Sequence, residues 1–130
     1  MHRTLQPPDW AKPKGYANGI VASGSETIYT GGLIGWDANC EFPGTDFVTQ
    51  VRTTLENIVA VLREADAGPE HLVRMTWYIT DKQAYQNNLR SIGQAYREVI
   101  GRHFPAMAVV EVCALMEDAA MVEIEATAVK

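Results

Sequence analysis

The feature that most constrains this chain is the segment from Phe104 to Val129, near its C-terminal end. Two apolar runs rich in Val and Ala are joined there by the polar connection 116–118, and such a pattern is typical of two strands that pair with each other. The second run alternates strictly, so that its residues point to opposite faces of a sheet. The apolar set is Val122, Ile124, Ala126 and Ala128. The opposite set is Met121, Glu123, Glu125 and Thr127, so two carboxylates share one sheet face.

Length and composition indicate one ordinary globular domain over residues 1–130, long enough for a single buried core. Hydrophobic residues make up 47% of the chain and charged residues 21%, which excludes a disordered or fibrous class. The formal net charge is -5, and Lys and Arg do not cluster. Because phosphate binding needs a basic surface, we expect no nucleic acid among the main partners.

Targeting and metal signals are not found in the sequence. The first ten residues lack the apolar core of a signal peptide, and no apolar run approaches the length of a membrane span. Cys40 and Cys113 lie far apart without a Cys-x-x-Cys motif, so we expect reduced thiols, a cytoplasmic location and no membrane partner. The three histidines, His2, His71 and His103, have no ligand spacing. We therefore predict no metal, no cofactor and no catalytic dyad.

The N-terminal third predicts short strands. Residues 1–19, rich in Pro and Gly, are expected to be irregular. The β-prone runs 19–23 and 27–30, separated by Gly24-Ser25-Glu26, predict a hairpin.

Two helices and a strand follow. The first helix should begin near Thr45 or Asp46 and end at Gly68-Pro69. Its apolar stripe consists of Phe47, Val51, Leu55, Ile58, Leu62 and Ala65. Residues 72–80 alternate as a strand with one apolar face, formed by Val73, Met75, Trp77 and Ile79. Asp81 should cap a second helix that ends at Gly101, and its stripe is Tyr85, Leu89, Ile92, Tyr96 and Val99.

The resulting order, ββ(β)αβαββ, predicts an α+β fold in which two helices cover one face of one sheet. Both faces of the strand from Ala106 are largely apolar. A face left bare would expose an apolar patch, and such patches mark interfaces, so we expect a homo-oligomer.

Several motifs together resemble the RidA/YjgF family. They are Pro105-Ala106, Val110-Glu111-Val112, Leu115 and the run 122–126, with weaker matches at Tyr16, at 31–34 and at 50–62. The resemblance implies a chorismate-mutase-like sheet, a homotrimer and three clefts between neighbouring subunits. Several members of this family hydrolyse imines and enamines.

The chain departs from the family pattern at positions that concern the ligand. Met107 stands where the family has an arginine that binds the substrate, and Val109 replaces a cysteine found in many members. Gly31 and Leu33 replace a Ser and a Gln, and Met116 replaces the turn proline.

The resemblance assigns roles to specific residues, each with a simpler alternative. Glu123 matches the cleft glutamate and would activate water for attack on a C=N carbon. Alternatively, it is a surface or interface carboxylate paired with an arginine. Met107 offers neither charge nor donor, so a ligand either lacks a carboxylate there or is held by another cation. Arg74, on the neighbouring strand, is one candidate cation, and a solvated arginine is the alternative.

The remaining predicted cleft residues are Tyr16, Gly32, Leu33, Trp36 and Val109. Tyr16 would stack on a planar ligand or simply pack as a loop aromatic. Gly31 and Gly32 would let the backbone approach a ligand, or form a β-bulge. Trp36 would form an aromatic wall.

These observations leave two functional hypotheses from different classes. The first is a hydrolase or deaminase acting on a small enamine, imine or related C=N compound, more apolar or aromatic than the amino-acid-derived imines of arginine-bearing members. The second is a non-catalytic small-molecule-binding or accessory protein with the same cleft. A ribonuclease is disfavoured by the charge.

Overall fold

The computed structural model describes residues 1–130 and contains seven strands and three α-helices. The strands are β1 (Arg3–Leu5), β2 (Gly19–Val21), β3 (Thr27–Tyr29), β4 (Leu33–Ile34), β5 (Leu72–Ile79), β6 (Ala106–Glu111) and β7 (Val122–Val129). The helices are α1 (Phe47–Arg63), α2 (Lys82–Asn87) and α3 (Leu89–Val99). The α+β class is confirmed. None of the helices is both long enough and apolar enough to cross a membrane.

Five strands form the main sheet, with β7 and β5 at its centre. The order is β3-β7-β5-β6, and β4 also pairs with β7. β5 and β6 are parallel, as expected for strands joined by a helical crossover, and the other pairs are antiparallel. The expectation that β6 and β7 pair with each other is wrong. The connection over residues 112–121 is long enough to carry the chain past β5, so β5 lies between them.

The N-terminal segment differs from the expected hairpin. Residues 3–5, expected to be irregular, form β1, and β2 pairs with β1 rather than with β3. β3 pairs instead with the end of β7. The backbone N–H groups of Ser25 and Glu26 both donate to the carbonyl of Lys130, at 2.8 and 2.9 Å. The turn over Gly24-Ser25-Glu26 is therefore bound to the far end of β7, a partner that local sequence does not reveal.

Helix α1 begins where its cap predicts and ends earlier than expected. Asp46 caps it by accepting a hydrogen bond from the N–H of Thr49. The helix ends at Arg63, followed by a tight turn in which Asp66 adopts a φ of 53°. Gly68-Pro69 instead opens a short 3₁₀ turn over Pro69–His71. As a result Ala67, rather than Ala65, reaches the core.

The second predicted helix is divided in two at Asn88, which has non-helical backbone angles of -123° and 22°. Asp81 caps α2 by accepting hydrogen bonds from the N–H groups of Gln83 and Ala84. Gly101 adopts a φ of +86° after α3, as a helix-terminating glycine should. Leu89, expected in the buried stripe, is 56% exposed and lies at the rim of a cavity described below.

The core lies between the helices and one face of the sheet. Apolar residues of α1 and α3 pack there on β5 and β7, and the predicted apolar set of β7 is buried in full. A register shift between Leu72 and Arg74 gives β5 a bulge, so Leu72 and not Val73 is buried at its start. The open face carries Thr76, Tyr78 and Glu123 on the central strands and is apolar chiefly along β6, where Val110 is 41% exposed.

Candidate functional site

The sheet divides the predicted site residues into two groups. Across β5, Trp77 pairs with both Val109 and Ile124, and these three residues lie on the face that the helices cover. One position along, Tyr78 pairs with both Val110 and Glu123 on the open face. Because faces alternate along a strand, Met107 and Val109 lie on the opposite side of the sheet from Glu123.

Glu123 lies in a cavity of about 500 Å³ at the edge of the sheet, beside β4. Three other predicted residues, Gly32, Leu33 and Trp36, line the same cavity. The opposite wall comes from α1 and includes Asn57, whose side-chain amide donates to the carbonyls of Ile34 and Trp36, both at 2.9 Å. Asn57 therefore fixes the backbone that carries these residues. Sequence analysis had placed Asn57 only within a helix.

Gly32 and Glu123 are in direct contact. A Cβ atom at position 32 would overlap Oε2 of Glu123 and lie 2.8 Å from its Cδ. At Gly31 a Cβ would meet nothing within 4 Å. The Glu123 carboxylate therefore occupies the space that a side chain at position 32 would fill. This role is more specific than the two alternatives from the sequence, a close approach of the backbone to a ligand or a β-bulge.

A buried glutamine holds the segment that leads into β7. Gln50 on α1 is 2% exposed; its amide donates to the carbonyl of Ala119 at 2.9 Å and accepts from the N–H of Met121 at 2.7 Å. Both backbone groups are thereby paired, which buried polar groups require. Glu123 follows two residues later, so its position depends on this helix.

Tyr78 is a polar neighbour of Glu123 that sequence reasoning did not single out. It lies directly across from Glu123 in the sheet, and its hydroxyl donates to Oε1 of Glu125 at 2.7 Å. This hydrogen bond, together with the negative charges of Glu125 and Glu123, raises the pKa of the Tyr78 hydroxyl above 10. Tyr78 is therefore a neutral donor at physiological pH. The alternation along β5 and β7 would have revealed it, had the register been known.

The second group lines a different cavity, of about 550 Å³, between β5–β6 and the helices α2 and α3. Tyr16, Met107 and Val109 all belong to it. Its other aromatic lining residues are Trp77, Tyr85, Tyr96 and Phe104. The rings of Tyr96 and Phe104 stack at 5.8 Å, and Trp77 meets Tyr85 edge-on at 6.3 Å. Burial raises the pKa of both Tyr85 and Tyr96, so both stay neutral.

Tyr16 reaches this cavity because its neighbour pairs with the free edge of β6. The N–H of Ala17 donates to the carbonyl of Pro105 at 3.0 Å, and Ala17 forms a parallel bridge with Ala106. Gly15, with a φ of +80°, allows the chain to turn just before Tyr16. Tyr16 itself remains 42% exposed at the cavity mouth.

Helix α3 contributes lining residues that sequence analysis missed. Leu89, Gly93 and Arg97 all border the second cavity. Their spacing of four places them on one face of a helix, which is the signal that could have found them. Trp77 also lines this cavity, and its buried indole N–H has no hydrogen-bond partner, which costs about 1–3 kcal/mol.

Arg74 borders neither of these cavities. Arg74 pairs with Thr127, two residues before the pair of Thr76 with Glu125 on β5. It lines a smaller cavity together with Tyr29 and Thr127. Arg74 and Tyr78 are four positions apart on β5, a span of about 13 Å. Within one chain, it is therefore not brought together with Glu123 or Met107. The structure also contains no group of three or more His, Cys, Asp or Glu side chains that could hold a metal ion.

The fold and the two cavities define a class of small α+β protein with a glutamate-bearing pocket at the sheet edge and an aromatic pocket under the helices. A family model described as Endoribonuclease L-PSP matches residues 10–130. The RutC family protein UK114 of Drosophila melanogaster is 33% identical over 121 residues, which cover 91% of this chain and 82% of the relative. The chain therefore belongs to this family, to which the Rid and YjgF proteins also belong.

Solved structures show the same fold. A Rid family protein, YyfB of Yersinia pestis, superposes with a TM-score of 0.88 at 29% identity, covering 99% of this chain and 98% of that one. TdcF of Escherichia coli, solved with bound serine, gives a TM-score of 0.69 at 27% identity and covers 98% of each chain. TdcF is named for a reactive intermediate deaminase, so this chain is related to proteins to which that activity is assigned.

Proposed function

We propose that this protein is a deaminase that hydrolyses small imines or enamines, with Glu123 as its catalytic base. The observation that carries the proposal is the placement of the Glu123 carboxylate against Gly32 in an open cavity, beside Tyr78 and Trp36. The relationship to TdcF supports the reaction class.

The chemistry needs only water and an acid–base group. Glu123 takes a proton from water as its oxygen bonds to the C=N carbon, and the nitrogen receives that proton. The carbinolamine that results loses ammonia after a second proton transfer to nitrogen, and the carbonyl product remains. One imine and one water thus give one carbonyl compound and one ammonia. The nitrogen becomes positively charged as it takes up these protons, and neighbouring carboxylates such as Glu125 stabilise that charge.

The complete site, in this proposal, lies between subunits of a homotrimer. Glu123 and Met107 lie on opposite sides of one sheet, so a ligand meets both only if a neighbouring subunit supplies one of the two cavities. Large exposed apolar residues support this arrangement because they surround the cavities. Met116, 92% exposed, borders the Glu123 cavity, and Leu89, Phe104 and Tyr16 border the other. Such exposed apolar rims mark interaction surfaces.

The substrate in this proposal is more apolar or aromatic than the amino-acid-derived imines of the arginine-bearing family members. Met107 presents a thioether where the family resemblance implies an arginine, and its cavity is walled by aromatic rings. A small imino acid would find no bidentate partner at position 107. We therefore expect the enzyme to be slow with 2-iminopropionate and 2-iminobutyrate.

Nucleic acid is not the proposed partner, although the family description names an endoribonuclease. The chain carries a net charge of -5, and a ribonuclease needs cations to hold phosphates. RNA cleavage that survives rigorous purification and disappears with Glu123→Ala would contradict this assignment.

The test is ammonia release from freshly generated imines and enamines, aliphatic and aromatic, with Glu123→Ala as the control. Release from an apolar or aromatic compound, lost in Glu123→Ala, is the expected result. If a folded trimer releases no ammonia from any compound but still binds some of them, the protein is a small-molecule binder with the same cleft. Rapid turnover of 2-iminopropionate would refute the specificity part of the proposal.

A further inference from the structure

The aromatic cavity contains a cationic rim that the sequence did not reveal. Of its thirteen lining residues, only Lys14 and Arg97 are charged, and both are positive. A cavity without any acidic lining residue, in a chain of net charge -5, is a local concentration of positive charge. Such an arrangement favours an anionic group on the ligand.

Gly93 gives the Arg97 guanidinium its position. A Cβ atom at position 93 would lie 3.3 Å from Nη1 of Arg97, so the guanidinium lies over the helix backbone where a side chain is missing. Both residues border the cavity. A glycine inside a helix is unfavourable compared with alanine, and here it leaves room beside the cavity.

The guanidinium of Arg97 forms no salt bridge with a protein carboxylate, although its charge is among the causes that lower the pKa of Glu98, after hydrogen bonds from Gln94 and Arg52. The ion pairs of the structure are Arg52–Glu98, His71–Glu70 and Lys130–Glu26. Glu98, adjacent to Arg97 in sequence, binds Arg52 and Gln94 instead. Arg97 is therefore available to a ligand, and a guanidinium is suited to bind a carboxylate with two hydrogen bonds.

We infer that Arg97 holds the carboxylate of an aromatic acid whose ring occupies the cavity under helices α2 and α3. The aromatic walls suit a planar ring, and the volume of about 550 Å³ suits a ligand of this size. This inference deepens the proposed function, because it makes the substrate an aromatic imino acid with its anion at position 97 rather than 107. The claim that this acid is hydrolysed rests on the proposed function, but the claim that it binds through Arg97 does not.

The experiment measures binding of two probes by calorimetry, without turnover. Phenylpyruvate is the aromatic 2-oxo acid, and phenylacetone is the same framework without a carboxylate. We expect Arg97→Gln to weaken phenylpyruvate binding by about 10- to 100-fold, the range of a charge-assisted hydrogen bond. The affinity of the Arg97→Gln variant for phenylacetone should differ from that of the wild type by less than about threefold, since the contacts with the ring remain.

The matched control is Arg90→Gln, which removes an exposed arginine from the same helix, outside the cavity lining. It should leave both affinities unchanged. Arg97→Lys should recover part of the phenylpyruvate affinity because the charge returns without the bidentate geometry. Equal losses for both probes in Arg97→Gln would show a structural effect and overturn the inference. So would wild-type protein that shows no phenylpyruvate binding at about 10 mM.

These outcomes separate the inference from the proposed function. Binding of phenylpyruvate through Arg97 without any ammonia release would leave the inference standing and refute the deaminase. Turnover that needs Glu123 but is indifferent to Arg97→Gln would support the deaminase and overturn the inference.

Discussion

At the scale of single residues, the glycine at position 32 determines where the Glu123 carboxylate, the proposed catalytic base, can lie. Its missing side chain leaves the space that the Glu123 side chain occupies. We predict that Gly32→Ala lowers kcat for imine hydrolysis by about 10- to 100-fold, since a displacement of about 1 Å at a catalytic group has this effect. Stability should change little because position 32 is exposed.

Gly31→Ala is the matched control, because a Cβ there meets nothing within 4 Å. Steady-state kinetics and thermal unfolding of both variants would test the prediction. Equal activity of Gly32→Ala and wild type would mean that Glu123 does not act from the position seen here.

The methionine at position 107 gives a second prediction at this scale. Met107→Arg would add a bidentate carboxylate partner to the wall of the aromatic cavity. We expect kcat/KM for 2-iminopropionate to rise at least about tenfold, because a new charge-assisted hydrogen bond is of this magnitude. Gln86→Arg adds the same charge on the exposed surface of α2 and should have no effect. If both variants gain equally, charge alone explains the change and position 107 is not a specificity position.

At the scale of elements, local signals were sufficient for the starts of the helices, but not for the end of α1, the break at Asn88 or the strand pairing. The caps at Asp46 and Asp81 and the left-handed Gly101 depend on neighbouring residues only, and each was predictable. The pairing of β2 with β1 and the position of β5 between β6 and β7 depend on contacts between residues distant in sequence. Local sequence patterns therefore could not predict them. The family resemblance places Met107 and Glu123 in one cleft between subunits, and the register of the sheet places them on opposite faces within one chain.

The cap of α1 gives a pH-dependent prediction. Hydrogen bonds from Thr49 lower the pKa of Asp46 below its usual value of 3.8. The ionised cap is therefore favoured in the folded state, and its contribution is complete above pH 3.8 and lost as the pH falls below it. Asp46→Asn keeps an acceptor without titrating, so wild type should lose free energy of unfolding below pH 3.8 relative to this variant. Asp46→Ala should cost about 1 kcal/mol at pH 7.

Urea unfolding at fixed protein concentration, at pH 7 and in steps down to pH 3, measures this difference. Asp9→Asn removes an exposed carboxylate outside the helices and serves as the control. A difference between wild type and Asp46→Asn that stays constant with pH would contradict the assigned role of the carboxylate.

At the scale of the whole molecule, the fold places two incomplete cavities on opposite sides of one sheet. The Glu123 cavity has an acid–base group but few aromatic walls, and the Met107 cavity has aromatic walls and cations but no carboxylate. Only the Glu123 cavity has an acid–base group for the reaction, and only the Met107 cavity has aromatic walls and cations to bind the substrate. Exposed apolar rims at both cavities are explained together if each is covered by a neighbouring subunit.

This arrangement predicts complementation between two inactive variants. Glu123→Ala removes the base, and Gly93→Leu fills the aromatic cavity, where the nearest atom to the new Cβ is the flexible end of Arg97. Each variant alone should be inactive. Mixed trimers formed by co-expression contain clefts that combine an intact Glu123 cavity with an intact aromatic cavity. Every trimer that contains both variants has one such cleft out of three, so the mixed trimers should show about one third of wild-type activity.

The measurement is ammonia release by trimers purified through two different affinity tags, one on each variant. Mixing the separately assembled proteins without subunit exchange is the control and should give no activity. If the whole site lay within one chain, every subunit would still carry one of the two defects and the mixed trimers would be as inactive as their parents. Recovery near one third would therefore locate the reaction between subunits and explain why a single chain presents the Glu123 carboxylate and the aromatic cavity on opposite sides of the sheet.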